Sequence, residues 1–158
     1  AAPAACDVVV VNGRPGYEKV PSILLPVAAG PHSGLAADLA RTVADDCDAW
    51  IDVLHVVDEA ASERRRDAAA ELVDDVARRI DRPETATWVL EADDVAEAII
   101  EQSLYYGLTI IGAPTRGRLR RFIFGSTNHS VRANAGSVVL SVRNNSYGSS
   151  TVSSDPGA

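Results

Sequence analysis

Residues 112–127, GAPTRGRLRRFIFGST, hold the residue types best suited to chemistry in this chain. They follow a short apolar run, Leu108 to Ile111, and end where a helix is expected to begin. A strand, a glycine-bearing loop and a helix N-terminus, in that order, make a phosphate cradle. Backbone N–H groups point at the anion, and the helix dipole favours negative charge there. Arg116, Arg118, Arg120 and Arg121 add cations to the same loop. A structural role stands beside this reading. Gly125-Ser126 also suits a loop end and helix cap, and the arginines suit a solvated or docking surface.

Other residues offer less. His32, His55 and His129 are the chain's histidines. His55 falls in an apolar strand, where it is expected to be a hydrogen-bonded structural residue. His32 falls in a loop beside the expected pocket, and His129 in the first turn of the last helix. No HExxH, Walker A lysine or zinc spacing occurs. Asp45-Asp46 and Asp74-Asp75 fall on helix surfaces and are expected to face solvent. No catalytic residue and no metal site is assigned. Cys6 and Cys47 lie far apart in no metal or redox spacing, which fits a reducing cytoplasm.

The elements that must position the cradle alternate. Residues 7–11, 22–27, 49–57, 85–90, 108–111 and 137–142 read as β-branched or apolar strands. Residues 34–47, about 60–80, 94–105 and 127–135 read as helices. Leu35, Leu39 and Val43 mark the inner face of the first helix, with Ala36 and Ala40 beside them. Asp74–Arg78 and Asp75–Arg79 have the favourable acid-before-base order at i,i+4. Asp93 is the expected N-cap of the third helix, with Val95, Ile99 and Ile100 inward. From residue 22 to 143 this predicts an α/β fold: an open five-stranded parallel sheet in order 3-2-1-4-5, with helices on both faces. Ligands of such sheets sit beyond the strand C-termini where strand order reverses. There the loops 28–33 and 112–125 would face each other.

Three segments are expected: a strand and linker over 1–21, one domain over 22–143, and a Ser/Gly-rich disordered tail over 144–158. Residues 4–11, AACDVVVV, resemble 135–142, AGSVVLSV. Two readings stand: a chance likeness, since many parallel strands look alike, or the end of a preceding copy of the domain, able to pair with the 137–142 edge. The chain has no Met, which is expected of a segment from a longer or processed product.

Composition bounds the function. Twenty-two acids oppose 15 bases, for a net charge of −7, and Lys19 is the one lysine. Such a surface repels nucleic-acid phosphates and anionic membranes. It suits a protein from a salt-loving microbe; an acidic protein from a GC-rich genome has the same bias. No run reaches the roughly 18 apolar residues of a membrane span.

Three stretches resemble the universal stress protein family: ILLPV (23–27), VLHVVDE (53–59) and the loop from Gly112 to Ser126. In nucleotide-binding members that loop reads Gly, two residues, Gly, nine residues, Gly, then Ser or Thr. Here Gly112 is followed by Ala113-Pro114 and then Thr115 in place of the second Gly; nine residues later come Gly125-Ser126. The resemblance implies a Rossmann-like fold of the adenine-nucleotide alpha-hydrolase type that binds ATP or a related adenine nucleotide, with Mg as a candidate companion. Pro26 and Val27 would border the adenine, with Val56 in the same wall. Gly112 and Thr115 would shape the phosphate loop, and Gly125, Ser126 and Thr127 would bind phosphate. Family members usually carry Asp where this chain has Ala28. Losing such an anchor removes a charge-assisted hydrogen bond of about 1.5–3 kcal/mol, about ten- to a hundredfold in affinity.

The leading expectation is a cytoplasmic sensor or regulatory domain. It is expected to dimerise, or to meet a tandem domain, through the 137–142 edge. The stretch PGYEKVPSILLPVAAGPHS resembles a junction between two such domains at the cytoplasmic end of a transporter, including amino-acid permeases. The alternatives are a nucleotide-free interaction domain, favoured by Ala28 and Thr115, and a weak ATPase.

Overall fold

The computed structural model describes residues 8–12, 20–30, 32–112 and 138–143. Cys6, the loop from Ala113 onward, the expected helix over 127–135 and the tail over 144–158 lie outside the described residues. The chain order is β1 (Val8–Asn12), β2 (Ser22–Pro26), α1 (His32–Cys47), β3 (Trp50–Val57), α2 (Glu63–Ile80), β4 (Thr85–Glu91), α3 (Val95–Ser103), β5 (Leu108–Gly112) and β6 (Val138–Arg143).

The six strands form one sheet in the order β1-β6-β5-β2-β3-β4. From β4 to β6 neighbouring strands are parallel. These five, β2 to β6, reproduce the expected 3-2-1-4-5 order. β1 adds a sixth strand, antiparallel to β6, with Val10 opposite Ser141. The 137–142 edge therefore carries the chain's own first strand as a neighbour.

β2 is the central strand, and Ile23, Leu24 and Leu25 are at most 1% exposed. Three consecutive apolar residues are needed because both faces of a parallel sheet are covered. Ile23 and Leu25 join the cluster under α1 and α2; Leu24 joins the smaller cluster under α3. That division follows from right-handed crossovers. The chain steps outward from β2 to β4 through α1 and α2, then returns to β5 across the other face through α3.

The innermost face of α1 is alanine. Ala36, Ala37, Ala40 and Ala44 are fully buried, whereas Leu35, Leu39 and Val43 are half-buried beside them. Small side chains let the helix lie close to the sheet, and the larger ones fill the flanks. In α2, Ala69, Val73, Val76 and Ile80 make the buried stripe. The helix ends at Asp81, whose left-handed conformation lets its N–H donate to Ala77 O.

Two local expectations are corrected. Arg79 does not pair with Asp75 within α2. It reaches α1 and grips Asp38 with two bonds of 2.9 Å, while Asp75 takes Arg78 at i,i+3. A bidentate fork between helices holds both carboxylate oxygens at once, which geometry within one helix does not offer Arg79. The N-cap of α3 is Asp94, one residue later than expected; it accepts from Glu97 N at 3.0 Å. The helix consequently turns Ala98 and Ile99 inward and leaves Val95 43% exposed.

Candidate functional site

Strand order reverses between β2 and β5, so the C-terminal ends of these two strands frame the crevice expected to hold a ligand. Pro26 closes β2 and is buried. Val27 follows it; its N–H donates to Leu54 O at 2.8 Å. Its carbonyl lies 2.6 Å from His55 Nδ1. A carbonyl can only accept, so this contact places the proton on Nδ1 and fixes the neutral ring's tautomer. His55 is thus the structural histidine expected from its strand position. It ties β3 to the exit of β2.

The loop after β2 folds back on itself. Ser33, in the first turn of α1, donates its hydroxyl to Ala28 O at 2.6 Å and faces Ala28 N at 3.4 Å. Gly30, between them, has φ of +148°, where a side chain is strained. Ala28 is exposed at the rim of the crevice.

His32 is not a loop residue. It is the first residue of α1, two positions earlier than the helix was expected to start. It presses against Gly112 at the end of β5: a Cβ on Gly112 would sit 2.8 Å from His32 Cβ. The N-terminus of α1 therefore lies over the gap between β2 and β5. Its first turn carries no acidic residue, so no carboxylate of that turn offsets the N–H groups and dipole of the helix start.

The structure brings Pro26, Val27, Ala28 and Gly112 to this one end of the sheet. Val56 is also near a strand C-terminus, but its side chain packs with Leu24, Leu54, Ala98 and Ile99 beneath α3. Val27 belongs to the cluster on the opposite face. Val27 and Val56 thus pack into clusters on opposite faces of the sheet, as alternate register positions do. Thr115, Gly125, Ser126, Thr127 and His129 lie outside the described residues. Sequence reasoning missed Ser33 as the residue that closes the loop; its position after Gly30 at a helix start was the available signal.

The exit of β3 is similarly fixed. Asp58 Oδ1 accepts from Ala60 N at 2.7 Å, so this carboxylate shapes a turn. Among the described residues no group of three His, Cys, Asp or Glu side chains could hold a metal ion, and no helix is long and apolar enough to cross a membrane. A shallow depression lined by Asp74, Arg78, Asp81, Arg82 and Thr85 lies at the start of β4, the end of the strands remote from the crevice.

Solved structures share this fold. A universal stress protein in complex with cAMP aligns with a TM-score of 0.61 at 13% identity, covering 80% of this chain and 98% of that one. A universal stress protein from Archaeoglobus fulgidus gives 0.59 at 17% identity, covering 78% and 94%. One from Archaeoglobus fulgidus in complex with dAMP gives 0.59 at 16% identity, covering 77% and 97%. No curated protein sequence matches the chain. At such identities the likeness is one of fold. Residues 19–143, however, match the universal stress protein family itself, over the same span as the parallel sheet and its crevice, and the chain belongs to that family.

Proposed function

We propose that this domain is a sensor that binds an adenine nucleotide in the crevice between β2 and β5. The observation that carries the reading is the contact of Gly112 with His32. It sets the helix N-terminus of α1, an anion-favouring feature, beside the end of β5, from which the sequence continues into Gly112 to Gly125-Ser126. Two structures with this fold are complexes with cAMP and dAMP, which supports an adenine ligand. The backbone of Val27 and Ala28 is already held by His55 and Ser33. A base would thus meet a rim that needs little reordering, which partly offsets the missing acidic anchor at Ala28.

Signalling would follow from population shift. A nucleotide that bridges the two loops favours one arrangement of them, and that arrangement changes what docks at the surface. The output, whether a second copy or tandem domain at the β6 side or a tethered transporter at the cytoplasmic face, is part of this proposal. β6 has β1 along its outer edge, so a strand-to-strand partner there would have to use or replace β1.

The test is calorimetric titration of ATP, AMP and cAMP into the chain in molar KCl. Binding in the micromolar range that is lost in a Gly125→Val, Ser126→Ala variant establishes the reading. Absence of heat up to millimolar nucleotide overturns it in favour of an interaction domain that has lost its ligand. A weak ATPase would require turnover that depends on Mg and fails in the same variant.

A further inference from the structure

The outer half of the sheet carries a feature that nucleotide binding leaves unused. The chain has two tryptophans, and both stand on the same sheet face, on the two outermost strands at that end. Trp50, Asp52 and Leu54 alternate along β3, and Trp88 on β4 is the register partner of Leu54. Ala86 is the partner of Asp52, so Asp52 and Ala86 occupy the level between those of Trp50 and Trp88. Trp50 is 46% exposed and Trp88 57% exposed. α3 covers Leu54, Val56 and Leu90 further along the strands and does not extend the apolar cluster to this end.

A carboxylate lies between the indoles. Asp52 Oδ1 accepts from Trp50 Nε1 at 2.8 Å, and Asp52 Oδ2 accepts from the Tyr106 hydroxyl at 2.6 Å. Both donors are neutral. Burial, followed by the bond to Asp52, pushes the Tyr106 hydroxyl well above its usual range, so it stays a donor. Glu84 and Glu91, at either end of β4, are matched by Arg82 and Arg66. Asp52 forms no ion pair with any described residue. The result is a carboxylate held by two neutral donors, with Trp88 on the neighbouring strand of the same sheet face, an arrangement that attracts a cation by Coulomb forces and gives its side chain apolar surface to lie on.

The backbone supplies the second half of a docking surface. β4 ends the sheet, and among the described residues it has a strand on one side only. Its sequence, Thr85 to Glu91, contains no Pro or Lys, the residues that commonly blunt an edge. An extended chain can therefore add to it by main-chain hydrogen bonds. A long side chain of that added strand would cross over Ala86 toward Asp52, roughly 10 Å away at two strand spacings.

We propose that the Trp50–Asp52–Trp88 notch and the β4 edge together bind an extended segment of a partner protein through an arginine or lysine side chain. The partner is basic, in keeping with this chain's net charge of −7. The site is independent of the nucleotide reading.

Because the two tryptophans are the chain's whole complement, intrinsic fluorescence reads the notch directly. The probe is acetyl-Thr-Val-Thr-Arg-Thr-Val-Thr-amide, titrated into the intact chain. The control is the same peptide with citrulline, which keeps the shape of arginine and removes its charge. The expected result is a saturable fluorescence change with arginine, weakened about tenfold or more by citrulline. Asp52→Asn is expected to weaken the arginine peptide to the level of citrulline, and Trp88→Ala to weaken both. Circular dichroism confirms that each variant is folded; a variant that is not is replaced by Ala86→Leu, which fills the notch from an exposed strand. Equal binding of the two peptides overturns the proposal, as does no signal up to millimolar peptide. A fluorescence change that tracks protein concentration without peptide, with dimers in sedimentation, also overturns it and assigns the edge to a second copy.

Discussion

β3 shows two different surfaces to its two sides. Toward α1 and α2 it turns Ile51 and Val53, both fully buried. Toward the other side it turns Trp50 and Asp52, with Trp50 nearly half exposed. The first side is a close-packed layer of alanines, valines and isoleucines in which every methylene has neighbours. The second has a polar pair and an indole at the same depth along the strand. Further along the same side Leu54 and Val56 are buried beneath α3, so the second face is packed at one end and open at the other.

The contrast can be broken most directly by truncation. Ile51→Ala should cost about 2–5 kcal/mol, since it removes buried atoms and leaves a cavity. Trp88→Ala, on the adjacent strand and opposite face, should change stability by no more than about 0.5 kcal/mol. Urea unfolding of both variants checks this. Similar losses would mean that the indole face is part of the core after all.

The tight face extends to the crevice. Gly112→Ala places a methyl group 2.8 Å from His32 Cβ, so either β5 or the first turn of α1 must shift. A cost of about 1–3 kcal/mol is expected, together with weaker nucleotide binding. A neutral Gly112→Ala in the same unfolding assay would show that α1 is not held against β5, and would remove the main support for the crevice.

On the open face the polar pair should matter modestly. Tyr106→Phe removes one hydrogen bond to a carboxylate that keeps Trp50 as a second donor, so a loss of about 1 kcal/mol is expected. Trp50 emission should shift as well, because the carboxylate that accepts from its Nε1 then has one donor fewer. An unchanged spectrum would separate Tyr106 from the notch.

How much of this could be read beforehand differs along the same line. The parallel sheet and its 3-2-1-4-5 order were legible because buried strands such as SILLPV show continuous apolar runs, and because the helices between them force crossovers of one hand. The β2 and β5 ends of the crevice were legible from Gly112 and the residues after Pro26. The alanine face of α1 was less so: leucines dominate a hydrophobic pattern, while closeness of approach selects the small residues. That Val27 and Val56 join clusters on opposite faces was less legible, because proximity to a strand end does not say which face a side chain joins. The partner of Arg79 was invisible, since Asp38 lies 41 residues away and only tertiary packing brings it near. The Trp50–Asp52–Trp88 notch could not be read either; it depends on the parallel register of β3 with β4.

Salt tests the charge pattern as a whole. With a net charge of −7, self-repulsion opposes the folded state, and molar KCl shrinks its range to about 3 Å. The midpoint of thermal unfolding should rise between low and molar KCl. No gain would remove the reading of this composition as an adaptation to salt.

A small effect is also expected of the Asp38–Arg79 bridge, which joins the two helices of the tight face. The Arg79 hydrogen bonds hold the Asp38 carboxyl below the usual carboxylate range, with the Arg79 and Arg41 charges adding to them against a partial desolvation cost. The folded state therefore binds this proton less readily than the unfolded chain. The bridge's contribution is fully present above the usual carboxylate range and is lost as pH falls through it toward the lowered folded value. The Asp38 side chain is 54% exposed, so the contribution at neutral pH should be under about 1 kcal/mol. Asp38→Asn should accordingly be slightly less stable than the native chain at pH 7, and the gap should close in acid. A gap that persists in acid would show that the amide fails through packing and that the charge contributes nothing. A gap far above 1 kcal/mol at neutral pH would show that α1 and α2 rely on their polar rim more than on the alanine face beneath it.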